Sequence, residues 1–126
     1  MDTDRRSHKR FIIPKEFQEC TFQVIRFGEM RQLPKNPAKG ILKDISVGGL
    51  RLESQLDFPV RREVDIRISF KLAEQEFNLY GNLAWKLEDK VKFNYGVKFI
   101  NLSAKQEDTL VSSLQILQFV FKGKRY

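Results

Sequence analysis

Residues 64–99 read VDIRISFKLAEQEFNLYGNLAWKLEDKVKFNYGVKF. Val64, Ile66, Ile68 and Phe70 alternate with Asp65, Arg67 and Ser69. Phe77, Leu79, Leu83 and Trp85 lie in phase, with Gly81 between them. Phe93, Tyr95, Val97 and Phe99 alternate with Asn94, Gly96 and Lys98. A period of two buries one face of each strand and leaves the other wet, as in an antiparallel sheet. Short strands separated by turn signals favour a barrel or a sandwich. In this phase Trp85 and the phenylalanines are core residues rather than exposed stacking groups.

Upstream, Phe22 and Val24 alternate with Thr21 and Gln23, and Gly28, Pro34, Asn36-Pro37 and Gly40 mark a loop. Residues 41–45 form a short strand entering a glycine-bearing turn, and Leu50 and Leu52 resume the alternation beyond it. Pro59 marks a further break. Downstream the period changes. Ser103 and Gln106 fit a capping box, and Leu110, Leu114, Leu117 and Phe121 share one face at helical spacing, widened by Val111, Ile116 and Val120. The spacing predicts one amphipathic helix from about Ala104, closed by Gly123. Residues 1–10 are polar and without apolar period, and read as a flexible arm.

At 126 residues the chain fits one domain with a real core. Its 11 Phe and ordinary apolar fraction argue against disorder. The lone Cys20 cannot form an internal disulfide; it reads as a small apolar filler and fits a reducing, cytoplasmic setting. No apolar run is long enough to span a bilayer, and no signal peptide is visible. With one His and one Cys there is no metal-ligand cluster or Cys-His pair. No glycine-rich phosphate loop precedes a helix. Glu88-Asp89 and Glu107-Asp108 read as surface-turn and helix-start acids. The expectation is a non-enzyme without metal or cofactor. The formal net charge of +7 attracts anions without choosing among nucleotides, nucleic acid and acidic membranes.

Two motifs narrow the choice. Arg5-Arg6-Ser7-His8-Lys9-Arg10 contains RxxxR at Arg6 and Arg10, and Asp44-Ile45-Ser46-Val47-Gly48-Gly49 fits DxSxxG. Guanidinium forks suit a ligand bearing phosphate and guanine, and a short glycine-bearing turn admits close approach to the backbone. Taken alone, the arginines are an ordinary solvated arm with His8 as an exposed spacer, and the second motif is an ordinary Asx-type turn. The pair in this order, with the strand around Trp85, the segment Tyr95-Gly96-Val97-Lys98-Phe99 and the final helix, resembles the PilZ domain.

That resemblance covers nearly the whole chain and implies a mainly all-β fold: a six-stranded antiparallel PilZ-type β-barrel with a C-terminal α-helix. Within a single domain over 1–126, residues 1–10 would be the ligand-binding arm, 11–102 the barrel and 103–122 the helix. It implies a bacterial, cytoplasmic receptor for cyclic di-GMP. Arg6 and Arg10 would grip guanine and phosphate, Asp44 would accept from the guanine N1 and N2 edge, Ser46 would add a hydroxyl, and Gly48 and Gly49 would keep the turn tight and open. Arg5, directly before the pattern, accompanies binding of a stacked pair of ligand molecules in this family. A separate protein partner would receive the signal. The alternatives are a PilZ-type adaptor without nucleotide binding, and a nucleic-acid-binding barrel. The second is disfavoured because the aromatics share phase with the core, leaving no stacking platform.

Overall fold

The computed structural model describes residues 10–60 and 63–120. Its strands are β1 (Phe11–Ile12), β2 (Glu19–Phe27), β3 (Ala38–Ile45), β4 (Gly49–Ser54), β5 (Val64–Leu72), β6 (Gln75–Asp89) and β7 (Lys92–Phe99), followed by one helix, α1 (Ala104–Val120). A 3-10 turn, Lys15–Phe17, separates β1 from β2. All pairings are antiparallel. Following neighbours from β3 through β2, β5, β6, β7 and β4 returns to β3, so six strands close a barrel and β1 adds a two-residue bridge on β3. Closure removes the free sheet edges that otherwise invite association.

The expected alternation is what fills the barrel. Phe22, Val24, Leu42, Leu50, Leu52, Ile66, Ile68, Leu79, Tyr95 and Val97 all face inward and are buried. Residues 55–60 contribute Phe58, whose ring meets Phe22, Phe27 and Tyr95 at centroid distances of 6.2, 6.5 and 6.1 Å. The Tyr95 hydroxyl donates to the Leu56 carbonyl at 2.6 Å and accepts from the Phe58 N–H at 2.7 Å. A buried phenol thus satisfies its own polar atom and pins the loop.

The capping box forms as expected: Ser103 Oγ accepts from Gln106 N–H, and Gln106 Oε1 accepts from Ser103 N–H, both at 3.0 Å. Leu110 and Leu117 are buried and Leu114 packs on the core. Two helix expectations fail. Ile116 and Val120 are 52% and 61% exposed, because the buried stripe narrows to Leu117 in the last turn, where Gln118 and Phe119 are also exposed. Phe121 and Gly123 lie outside the described residues, as do Arg5 and Arg6.

A third expectation fails at Trp85, which is 45% exposed rather than core. The ladder between β6 and β7 shifts register between Leu83 and Trp85. One extra residue in a strand reverses the face of every side chain beyond it. Leu83 therefore points into the barrel and Trp85 points out.

Candidate functional site

A second irregularity of the same kind lies on β3, between Leu42 and Asp44. It allows Leu42 and Ile45 both to be fully buried while Asp44 turns outward between them. The register then aligns four positions across four strands: Asp44 opposite Arg51, Arg51 opposite Gly96, and Gly96 opposite Trp85. Arg51 lies between the core residues Leu50 and Leu52, and Gly96 between the core residues Tyr95 and Val97. All four positions therefore share the outer surface, and the two bulges supply its acid and its indole.

Gly96 is required by contact. A Cβ there would lie 2.0 Å from Trp85 Nε1 and 2.2 Å from Cε2, so the indole lies directly over the glycine. Neighbouring Lys98 is exposed and pairs with Gly49 on one side and Asn82 on the other. A Cβ on Gly49 would meet the Val97 carbonyl oxygen at 2.1 Å, which only backbone separation could relieve.

The turn between β3 and β4 is held by its own residues. Ser46 N–H donates to the Gly49 carbonyl at 2.8 Å, and the Ser46 hydroxyl accepts from Gly48 N–H at 3.2 Å. The Gly48 carbonyl accepts from Phe99 N–H at 3.0 Å, tying the turn to β7. Ser46 is buried, so the structure gives its hydroxyl to the turn.

Charge gathers on Asp44. Arg10 donates Nε–H to Asp44 Oδ1 at 2.7 Å, and its Nη2 lies 2.6 Å from the same oxygen. Arg51 Nε lies 3.1 Å from Oδ2, without the alignment of a hydrogen bond. Of the residues expected from sequence, the structure brings together Arg10, Asp44, Ser46, Gly48 and Gly49. Arg51, Trp85, Gly96 and Lys98 join them on this face and were not among the residues expected from sequence. Arg51 and Lys98 read as ordinary wet positions on their strands, and Trp85 read as core. Chemically the face offers three cations, one carboxylate and a half-open indole, a set that suits an anion bearing an aromatic base.

A cavity lies elsewhere. A space of about 970 Å³ opens at the other end of the barrel, lined by Cys20, Phe70, Phe77 and Leu56 with Lys39 and Glu76 among its charges. Burial pushes the Cys20 thiol up to about 12, so it is a neutral, unreactive group there. Among the described residues, no group of three or more His, Cys, Asp or Glu could hold a metal ion, and no helix is long and apolar enough to cross a membrane.

The fold is thus a small closed barrel that carries a cationic outer face beside a glycine turn. The PilZ domain model matches residues 4–115, and the chain belongs to that family. Among solved structures it is similar to the Bacillus subtilis inhibitor of motility MotI/DgrA, with TM-score 0.68 and 15% identity, over 91% of this chain and 52% of that one. It therefore spans about half the length of that protein. It is also similar to the PilZ domain of Escherichia coli YcgR with c-di-GMP, with TM-score 0.63 and 16% identity, over 97% and 99% of the two chains. A third likeness is to Borreliella burgdorferi PlzA in complex with c-di-GMP, with TM-score 0.56 and 13% identity, over 99% and 56%. No curated protein matches the chain. At these identities the likeness concerns the fold.

Proposed function

We propose that the chain is a non-catalytic receptor for cyclic di-GMP that binds the nucleotide on the outer face built around Asp44 and hands the signal to a separate protein partner. The observation that carries this reading is the row Asp44–Arg51–Gly96–Trp85 with Arg10 drawn onto its acidic end. Family membership supports it, as does the presence of c-di-GMP in two of the matched structures. Guanidinium groups bridge phosphate oxygens or fork onto guanine O6 and N7. The exposed indole provides a face for a base, an interaction worth about 1–3 kcal/mol. Arg5 and Arg6 complete the grip from the arm, and Gly48 and Gly49 keep the turn low beside the ligand. Ser46 serves through the turn it locks.

Drawing Arg5 and Arg6 onto a face that Arg10 already touches reshapes the surface a partner meets. A stacked ligand pair carries about four negative charges and needs more cations than one molecule does, which gives Arg5 its role. Calorimetric titration should show cyclic di-GMP binding with a ratio near two, falling towards one in Arg5→Ala. Arg6→Ala or Arg10→Ala should weaken binding by roughly thirtyfold or more with the fold intact. Absence of any binding heat at micromolar ligand would overturn the reading, and a ratio of one in the unaltered chain would overturn the paired ligand.

A further inference from the structure

Asp44 is already engaged. Arg10 occupies Oδ1 twice, Arg51 stands against Oδ2, and the carboxylate side chain is only 12% exposed. A carboxylate has about four lone-pair sites shared between two oxygens. The N1–H and N2–H edge of guanine presents two parallel donors and needs both oxygens at once. Oδ1 is committed, so Asp44 can meet that edge only by releasing Arg10. The guanidiniums are in the opposite condition. The Arg10 and Arg51 side chains are 50% and 40% exposed. Arg51 Nε, although beside Oδ2, makes no hydrogen bond among the described residues. The three side chains together carry one net positive charge, with unused donors still facing an incoming anion.

We infer that Asp44 is a positioning residue that holds Arg10 and Arg51 side by side as a two-pronged clamp, and that Arg51 contacts the nucleotide directly. This rests on the cyclic di-GMP reading above. It differs from the expectation that Asp44 reads the guanine edge, and it assigns binding to an arginine outside both motifs. In this arrangement the carboxylate limits the rotamers of two long side chains before ligand arrives, which removes part of the ordering cost from binding. Guanine is read through O6 and N7 by the arginine forks.

Inosine tests the distinction, because it keeps O6, N7 and N1–H but lacks the N2 amino group. The full chain and its Arg51→Ala, Arg51→Lys and Asp44→Asn variants are titrated with cyclic di-GMP and cyclic di-IMP, with folding checked by circular dichroism and thermal unfolding. Asp44→Asn preserves shape, so loss of fold does not cloud the result. The expected results are an unaltered chain that binds both nucleotides within about threefold, and an Asp44→Asn variant that loses a similar factor for each. Arg51→Ala should lose about ten- to thirtyfold for both, with little recovery in Arg51→Lys, which keeps the charge but not the fork. A preference of about tenfold or more for the guanine ligand that disappears in Asp44→Asn would show direct reading by Asp44 and overturn the positioning role. Unchanged affinity in Arg51→Ala would overturn the contact assigned to Arg51. Either result leaves the receptor reading intact. An unaltered chain that binds neither nucleotide overturns that reading and this inference together.

Discussion

The two ends of this barrel are built on opposite terms. At one end is a cavity of about 970 Å³ with an apolar floor and rim charges of both signs. At the other is an outer face where two bulges and two contact-enforced glycines gather Arg10, Asp44, Arg51, Lys98 and Trp85. Volume points to the first and chemistry to the second. A charged, planar ligand needs forks, a base platform and room for the backbone to approach. It does not need enclosure, so the charged face is the better candidate.

The severest way to break this comparison is Gly49→Ala. The added Cβ would meet the Val97 carbonyl oxygen, and β4 would have to leave β7. Destabilisation of about 3 kcal/mol is expected, read as a fall in the midpoint of thermal unfolding, with ligand binding lost too. An unchanged midpoint would show that the strand contact is softer than the geometry implies.

A gentler comparison places the same charge reversal at each end. Lys98→Glu lies beside Gly49, whereas Lys71→Glu lies at the cavity rim. The first should weaken cyclic di-GMP binding by about tenfold, and the second by no more than about twofold. Equal losses would mean that overall charge, not the face, drives association.

The smallest effect concerns the cavity itself. Cys20 has its thiol raised from 9.0 to about 12 by burial. Its folded-state value lies above its unfolded one, so its contribution to stability is complete below about 9 and is lost as pH rises towards 12. Alkylation at pH 8 should be slow in the folded protein and fast in urea. Cyclic di-GMP should slow it only as far as the ligand stabilises the folded state, which the shift in unfolding midpoint measures. Protection of Cys20 beyond that stabilisation would move the ligand to the cavity.

Much of this architecture was legible in the residues. Val64 to Phe70 and Phe93 to Phe99 alternate because one side of each strand is core, and the closed barrel follows that pattern. Ser103 and Gln106 announced their helix because a reciprocal cap needs only local chemistry. The failures share a cause. Trp85 sits two residues after Leu83, which by period two is the same face, and the shift that reverses it leaves no mark in composition. Arg51 reads as any polar residue between leucines until pairing sets it opposite Asp44. Ile116 and Val120 keep helical phase, but phase cannot tell where the barrel beneath a helix ends. Local rules report on faces, whereas a site distributed over four strands depends on register.

The manner of closure has a kinetic consequence. β3 and β4 are joined by a short turn and can pair early, whereas β4 meets β7 only when Leu50 finds Val97 across more than a third of the chain. Contacts so distant in sequence form slowly, because the intervening loop must lose its freedom first. The β4–β7 seam is thus, with β2–β5, one of the two late joins of the barrel, and it runs between Arg51 and Gly96, through the middle of the charged face. Until the seam zips, the clamp and the indole stand on separate pieces of chain. Newly made protein would remain blind to its ligand until that join forms, and an occupied face would act as a stitch across it.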